Sequence, residues 1–121
     1  MSPRVFLLHS ITESMQEGLL EGIRILDLSQ AGVGPLTGAV LADYGATVIS
    51  IEPPGGGSQR RLAQESVRAN YLRNKRSIEV NLKANGSDKI VSRLVESADA
   101  LIHNYPPETA ERLGCDYESL K

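Results

Sequence analysis

A chain of 121 residues, 40% hydrophobic and 23% charged, has the size and composition of one globular domain and argues against disorder. Its net charge of -2 excludes a whole-protein affinity for nucleic acid. One cysteine excludes an internal disulfide and fits the cytoplasm. Four Tyr, one Phe and no Trp leave the core to Val, Ile, Leu and Ala, as in buried parallel sheets.

In chain order, residues 1–18 read as a loosely attached N-terminal extension, and residues 19–121 as the folded part. The early apolar run, Val5 to Leu8, is too short for a signal-peptide core or a membrane span. Ile23, Ile25, Leu26 and Leu28 form a compact apolar strand. Ser29-Gln30-Ala31-Gly32-Val33-Gly34 then leads to Pro35, which suits the first turn of a helix. Leu36, Ala39 and Val40 recur at helical spacing until Gly45, and Val48, Ile49 and Ile51 make a second strand, completing a strand–helix–strand unit. The loop Pro53 to Ser58 follows, with a short helix expected around Arg60 to Val67.

Ile78, Val80 and Leu82 alternate with polar residues, predicting a half-buried strand near a sheet edge. Ile90, Val91, Leu94, Val95 and Ala98 share one helical stripe, the strongest helix signal in the chain. Ala100 to His103 is a short strand, Thr109 to Leu113 a brief helix, and Asp116 is placed to cap one more turn. The alternation predicts an α/β fold: a Rossmann-like, open, mostly parallel sheet with helices on both faces, incomplete at Lys121.

In such sheets ligands collect beyond the carboxyl ends of the strands, here Ser29 to Gly34, Pro53 to Ser58 and Asn104 to Pro107. The first loop leads into a helix whose free N–H groups favour an anion. Between Gln59 and Arg76 six basic residues stand against Glu65 alone, a local net of +5, while the remainder carries 7 basic and 14 acidic residues and stands at -7. This segment reads either as an anion site or as a solvated basic face. Gly32, Gly34 and Gly38, with Glu52 placed for a ribose, approximate a dinucleotide fingerprint, although the third glycine is one position late. His103 and Cys115 read as structural residues, and no metal site is expected.

Several motifs in order carry a more specific likeness. Gly22-Ile23-Arg24-Ile25-Leu26-Asp27-Leu28-Ser29, Leu41-Ala42-Asp43-Tyr44-Gly45-Ala46-Thr47-Val48-Ile49 and Ile51-Glu52-Pro53-Pro54-Gly55 are followed by Asn74-Lys75-Arg76-Ser77-Ile78. With Ala98-Asp99-Ala100-Leu101-Ile102-His103-Asn104-Tyr105 and Glu111-Arg112-Leu113-Gly114, residues 20–121 resemble the N-terminal part of a family III CoA-transferase, the family that also holds α-methylacyl-CoA racemases.

The resemblance implies a CoA thioester and a carboxylic acid as substrates, no tightly bound cofactor, and a homodimer at full length. It also implies an aspartate that forms anhydride and aspartyl-CoA intermediates. By resemblance, Gln30, Ala31, Gly32, Leu72, Lys75, Arg76, Asn104, Tyr105 and Arg112 face CoA. Lys75 and Arg76 would do so if their strand runs antiparallel, since they precede it. Asn74 stands where many members have glycine. None of Asp27, Asp43, Asp88, Asp99 or Asp116 corresponds to the family's aspartate, so no catalytic residue is expected in this chain. The alternatives are an acyl-CoA racemase fragment, an NAD-type dinucleotide-binding domain and a non-catalytic CoA-binding remnant.

Overall fold

The computed structural model describes residues 18–62 and 64–121, and the expected extension lies outside them but for Gly18. Four strands form one sheet: β1 (Arg24–Asp27), β2 (Thr47–Glu52), β3 (Arg76–Glu79) and β4 (Ala100–Ile102). Their order is β3-β2-β1-β4, and every neighbouring pair is parallel. The helices are α1 (Val33–Asp43), α2 (Ser58–Leu62), α3 (Glu65–Leu72), α4 (Ser87–Val95), α5 (Pro107–Arg112) and α6 (Tyr117–Leu120).

The period-two alternation of β1 sends successive side chains to opposite faces. Leu26 joins Leu28, Ile51, Val80 and Cys115 on one face, where Leu94, Val95 and Leu113 complete the packing. Ile25 joins Val48 on the other, beneath Ala42 of α1. Helices thus cover both faces, as expected. Small residues Gly38, Ala39 and Ala42 form the buried side of α1 and let it lie close to the sheet. Its outer side exposes Val33, Leu36, Val40 and Tyr44.

α1 begins at Val33, so Pro35 sits within its first turn, as expected. Two readings change in detail. The short helix expected around Arg60 to Val67 is two helices, α2 and α3. The antiparallel direction on which Lys75 and Arg76 would face CoA is not met: the strand is parallel, because Ile49 to Glu52 pair in step with Arg76 to Glu79. The helical segment between β2 and β3 is a crossover that carries the chain from the carboxyl end of β2 back to the amino side of the sheet, where β3 starts. β3 does lie at a sheet edge, with all four residues exposed, and Val80 is buried just beyond it. Among the described residues, no helix is long and apolar enough to cross a membrane, and no His, Cys, Asp and Glu cluster could hold a metal.

Candidate functional site

The loop after β1 is held from two sides. Below it, Asp27 Oδ1 accepts hydrogen bonds from the Ser29 backbone N–H at 3.0 Å and from the Ser29 hydroxyl. Asp27 Oδ2 accepts from Lys75 Nζ at 2.7 Å, and the same ammonium donates to the Pro35 carbonyl at 2.7 Å. The two charged side chains are 1% and 2% exposed. Gly38 makes the room, since a Cβ there would lie 2.6 Å from Asp27 Oδ2 and 3.0 Å from Lys75 Nζ.

Above the loop, Asn104 Oδ1 accepts from the Gln30 N–H at 2.8 Å, while its Nδ2 donates to the Gln30 and Ala31 carbonyls at 2.5 and 3.3 Å. Backbone pairing between the first and fourth strands continues to Leu28 N–H and the Ile102 carbonyl at 2.9 Å. The Asn104 amide adds a further rung where the strands diverge, and both of its N–H groups and its carbonyl are engaged. The loop so held carries Ala31 at φ 39° and Gly32 at φ 69°. The left-handed Ala31 costs about 1–2 kcal/mol, which the two anchors offset. Gly32 stands at the N-cap and among the described residues no side chain caps α1, which leaves its first N–H groups to a ligand.

Beside this loop, at the carboxyl edge of the sheet, lies a pocket of about 500 Å³. Gln30, Tyr105 and Arg112 meet Pro53, Asn81 and Lys83 around it. Burial raises the Tyr105 hydroxyl pKa, and a hydrogen bond with Gln30 acts in the opposite direction. The Tyr105 ring stacks on His103 with centroids 5.8 Å apart, and His103 Nδ1 accepts the Tyr105 N–H at 3.3 Å. Neither Lys83 nor Arg112 forms an ion pair among the described residues.

The basic segment resolves differently. Arg60 forms a two-pronged pair with Glu52 at 2.9 Å on both oxygens, and the Gly57 N–H donates to the same carboxylate at 3.0 Å. The Arg60 guanidinium holds the Glu52 carboxyl below its usual range despite burial. Arg73 pairs with Asp43 at 2.8 Å, helped by Asn74 at 2.8 Å, and these bonds lower the Asp43 pKa. With Lys75 on Asp27, three of the six cations tether the helical crossover to acids at the ends of β2, α1 and β1. Asn74 takes φ 59°, a backbone region glycine also accepts readily.

Six of the nine residues expected at the site therefore gather at the carboxyl edge: Gln30, Ala31, Gly32, Asn104, Tyr105 and Arg112. The other three do not. Leu72 lines a separate groove with Arg60, Glu65, Arg68 and Arg73, and Arg76 is exposed at the amino end of β3. Lys75 is enclosed beneath α1. The parallel direction of β3 counts against the Lys75–Arg76 pair as CoA ligands and brings Asn81 and Lys83 to the carboxyl side of the sheet instead. Those two residues were missed, and a parallel reading of the strand they follow would have found them. Glu52, the ribose candidate of the dinucleotide reading, is consumed by Arg60 and Gly57. Cys115 is 1% exposed, with burial raising its thiol pKa, as suits a structural residue.

A parallel sheet ordered β3-β2-β1-β4, with a braced loop and an open pocket at its carboxyl edge, defines a Rossmann-like α/β domain. Residues 20–121 match the sequence profile of CoA-transferase family III, and the chain belongs to that family. It is 39% identical to an acyl-CoA transferase of Fusarium pseudograminearum over 89% of this chain and 27% of that protein. It is 36% identical to acetyl-CoA:oxalate CoA-transferase of Acetobacter aceti over 90% of this chain and 30% of that protein.

Among solved structures, a CAIB/BAIF family protein from Brucella suis superposes with a TM-score of 0.79 at 31% identity, covering 87% of this chain and 30% of that one. The protein Rv3272 from Mycobacterium tuberculosis superposes at 0.76 and 35% identity, covering 85% and 30%. The chain spans under a third of the length of these relatives.

Proposed function

We propose that this chain is the part of a CoA-transferase that holds the CoA thioester while CoA passes from one carboxylic acid to another. The observation that carries the reading is the convergence of Gln30, held in its braced loop, with Tyr105 and Arg112 on one pocket, in a chain of this family. Arg112 and Lys83 supply charge-assisted donors to phosphate, α1 supplies backbone N–H groups, and the half-buried Tyr105 ring supplies an apolar wall.

In the reaction proposed, a carboxylate outside these residues attacks the thioester carbonyl, and the C–S bond breaks to release CoA thiolate. The thiolate attacks the resulting anhydride at the aspartyl carbonyl and expels the first acid. The acceptor carboxylate then attacks the aspartyl-CoA carbonyl and releases the thiolate, which attacks the new acyl carbonyl and frees the aspartate. This domain keeps the thiolate beside the anhydride between steps, a proximity effect rather than bond chemistry. Four of the five aspartates have structural partners: Asp27 and Asp43 are tied to cations, as is Glu52, Asp99 accepts the Arg24 N–H, and Asp116 caps α6. A cytoplasmic homodimer without a tightly bound cofactor completes the reading, supported by the family and by the single cysteine.

The test is calorimetric titration of the full-length protein with CoA, paired with exchange of an isotope-labelled carboxylate into a CoA thioester. Binding with exchange is expected. Inversion at the acyl α-carbon without exchange makes the protein a racemase. Binding of NADH with indifference to CoA overturns the reading.

A further inference from the structure

The ion pair beneath α1 deepens that reading and rests on it. We propose that Lys75 is a positioning residue, which acts on bound CoA through Asp27 and Ser29 and touches no phosphate. Two of the three ammonium hydrogens already have acceptors at 2.7 Å, Asp27 Oδ2 and the Pro35 carbonyl, and the side chain is 2% exposed. Swinging it out toward a ligand would leave the Asp27 carboxylate, itself 1% exposed, buried without a counter-charge, which is strongly unfavourable.

The geometry states what the lysine does in place. Its backbone sits just before β3, at the amino side of the sheet, and its side chain reaches under α1 to the end of β1. One Asp27 oxygen meets Lys75, while the other holds the Ser29 N–H and hydroxyl, the start of the ligand loop. The second Lys75 bond fixes Pro35 in the first turn of α1, the turn that follows directly on the Gln30–Gly32 loop. Lys75 thereby sets the loop and the helix start as one unit, and the left-handed Ala31 between them depends on that hold.

The test measures affinities of full-length protein for CoA and dephospho-CoA, by calorimetry at a temperature where unfolding scans show every variant folded. Lys75→Met is expected to weaken both ligands by the same factor, about tenfold, which is the effect of about 1.4 kcal/mol. The neutral pair Asp27→Asn with Lys75→Gln, which keeps a hydrogen bond without charge, is expected to recover both affinities to within about threefold, well under that 1.4 kcal/mol.

Loss confined to CoA in either variant makes Lys75 a ligand of the 3'-phosphate and overturns the proposal. Unchanged affinities with a lowered melting temperature reduce it to a merely structural residue and overturn the proposal equally. Should Lys75→Met fail to fold, the neutral pair alone decides: equal, near-native affinities support positioning, and selective or severe loss overturns it. A wild-type protein that binds neither ligand overturns the CoA reading itself, an outcome distinct from all of these.

Discussion

Gly38 shows how much one missing side chain decides. In an ordinary exposed helix, alanine in place of glycine stabilises by up to about 1 kcal/mol. Here the new Cβ would lie 2.6 Å from Asp27 Oδ2, inside the buried pair. Gly38→Ala is therefore expected to destabilise by about 1–3 kcal/mol, the usual range for overpacking. Urea unfolding checks it, and a gain in stability would mean that the pair relaxes freely around a methyl group. The sequence showed Gly38 only as a late third glycine of a fingerprint, because its reason lies in Asp27 and Lys75, which are far apart along the chain.

At the scale of elements, β2, the Pro53–Ser58 loop and α2 are latched by Glu52, which Arg60 and Gly57 hold together. The Glu52 carboxyl lies below its usual value of 4.5 in the folded chain, so unfolding takes up a proton between the two values. The pair's contribution is therefore present above the unfolded value and lost as pH falls through the folded one. Arg60 is 45% exposed, so solvent screening limits the effect. Arg60→Ala is expected to lower stability by about 1 kcal/mol at pH 7 and by much less at pH 3. Urea titrations at both pH values check this, and an equal loss at the two would deny the latch its charge.

Across the whole molecule, stability should grade outward from the centre of the sheet. β1 has partners on both sides in β2 and β4, and β2 has β1 and β3, whereas β3 and β4 are edges. Hydrogen exchange is expected to be slowest at Ile25, Leu26, Val48 and Ile51, which are buried on these central strands, and faster along the exposed β3. Slower exchange in β3 than in β1 would contradict the four-strand order.

Strand and helix periods, the turn at Gly45, the Asp116 cap and the chain of family motifs were legible in the residues themselves, since each depends on near neighbours. They established an α/β sheet covered on both faces and its family, and they pointed to the Gln30, Tyr105 and Arg112 side of the site. Tertiary structure alone decided the direction of β3 and the partner of each cation. Alternation records which face a side chain takes but not which way the strand runs. A local charge surplus likewise does not reveal that acids at the ends of distant elements will meet it. That is why Lys75, which the resemblance places against CoA, is found in the fold enclosed with Asp27 beneath the helix.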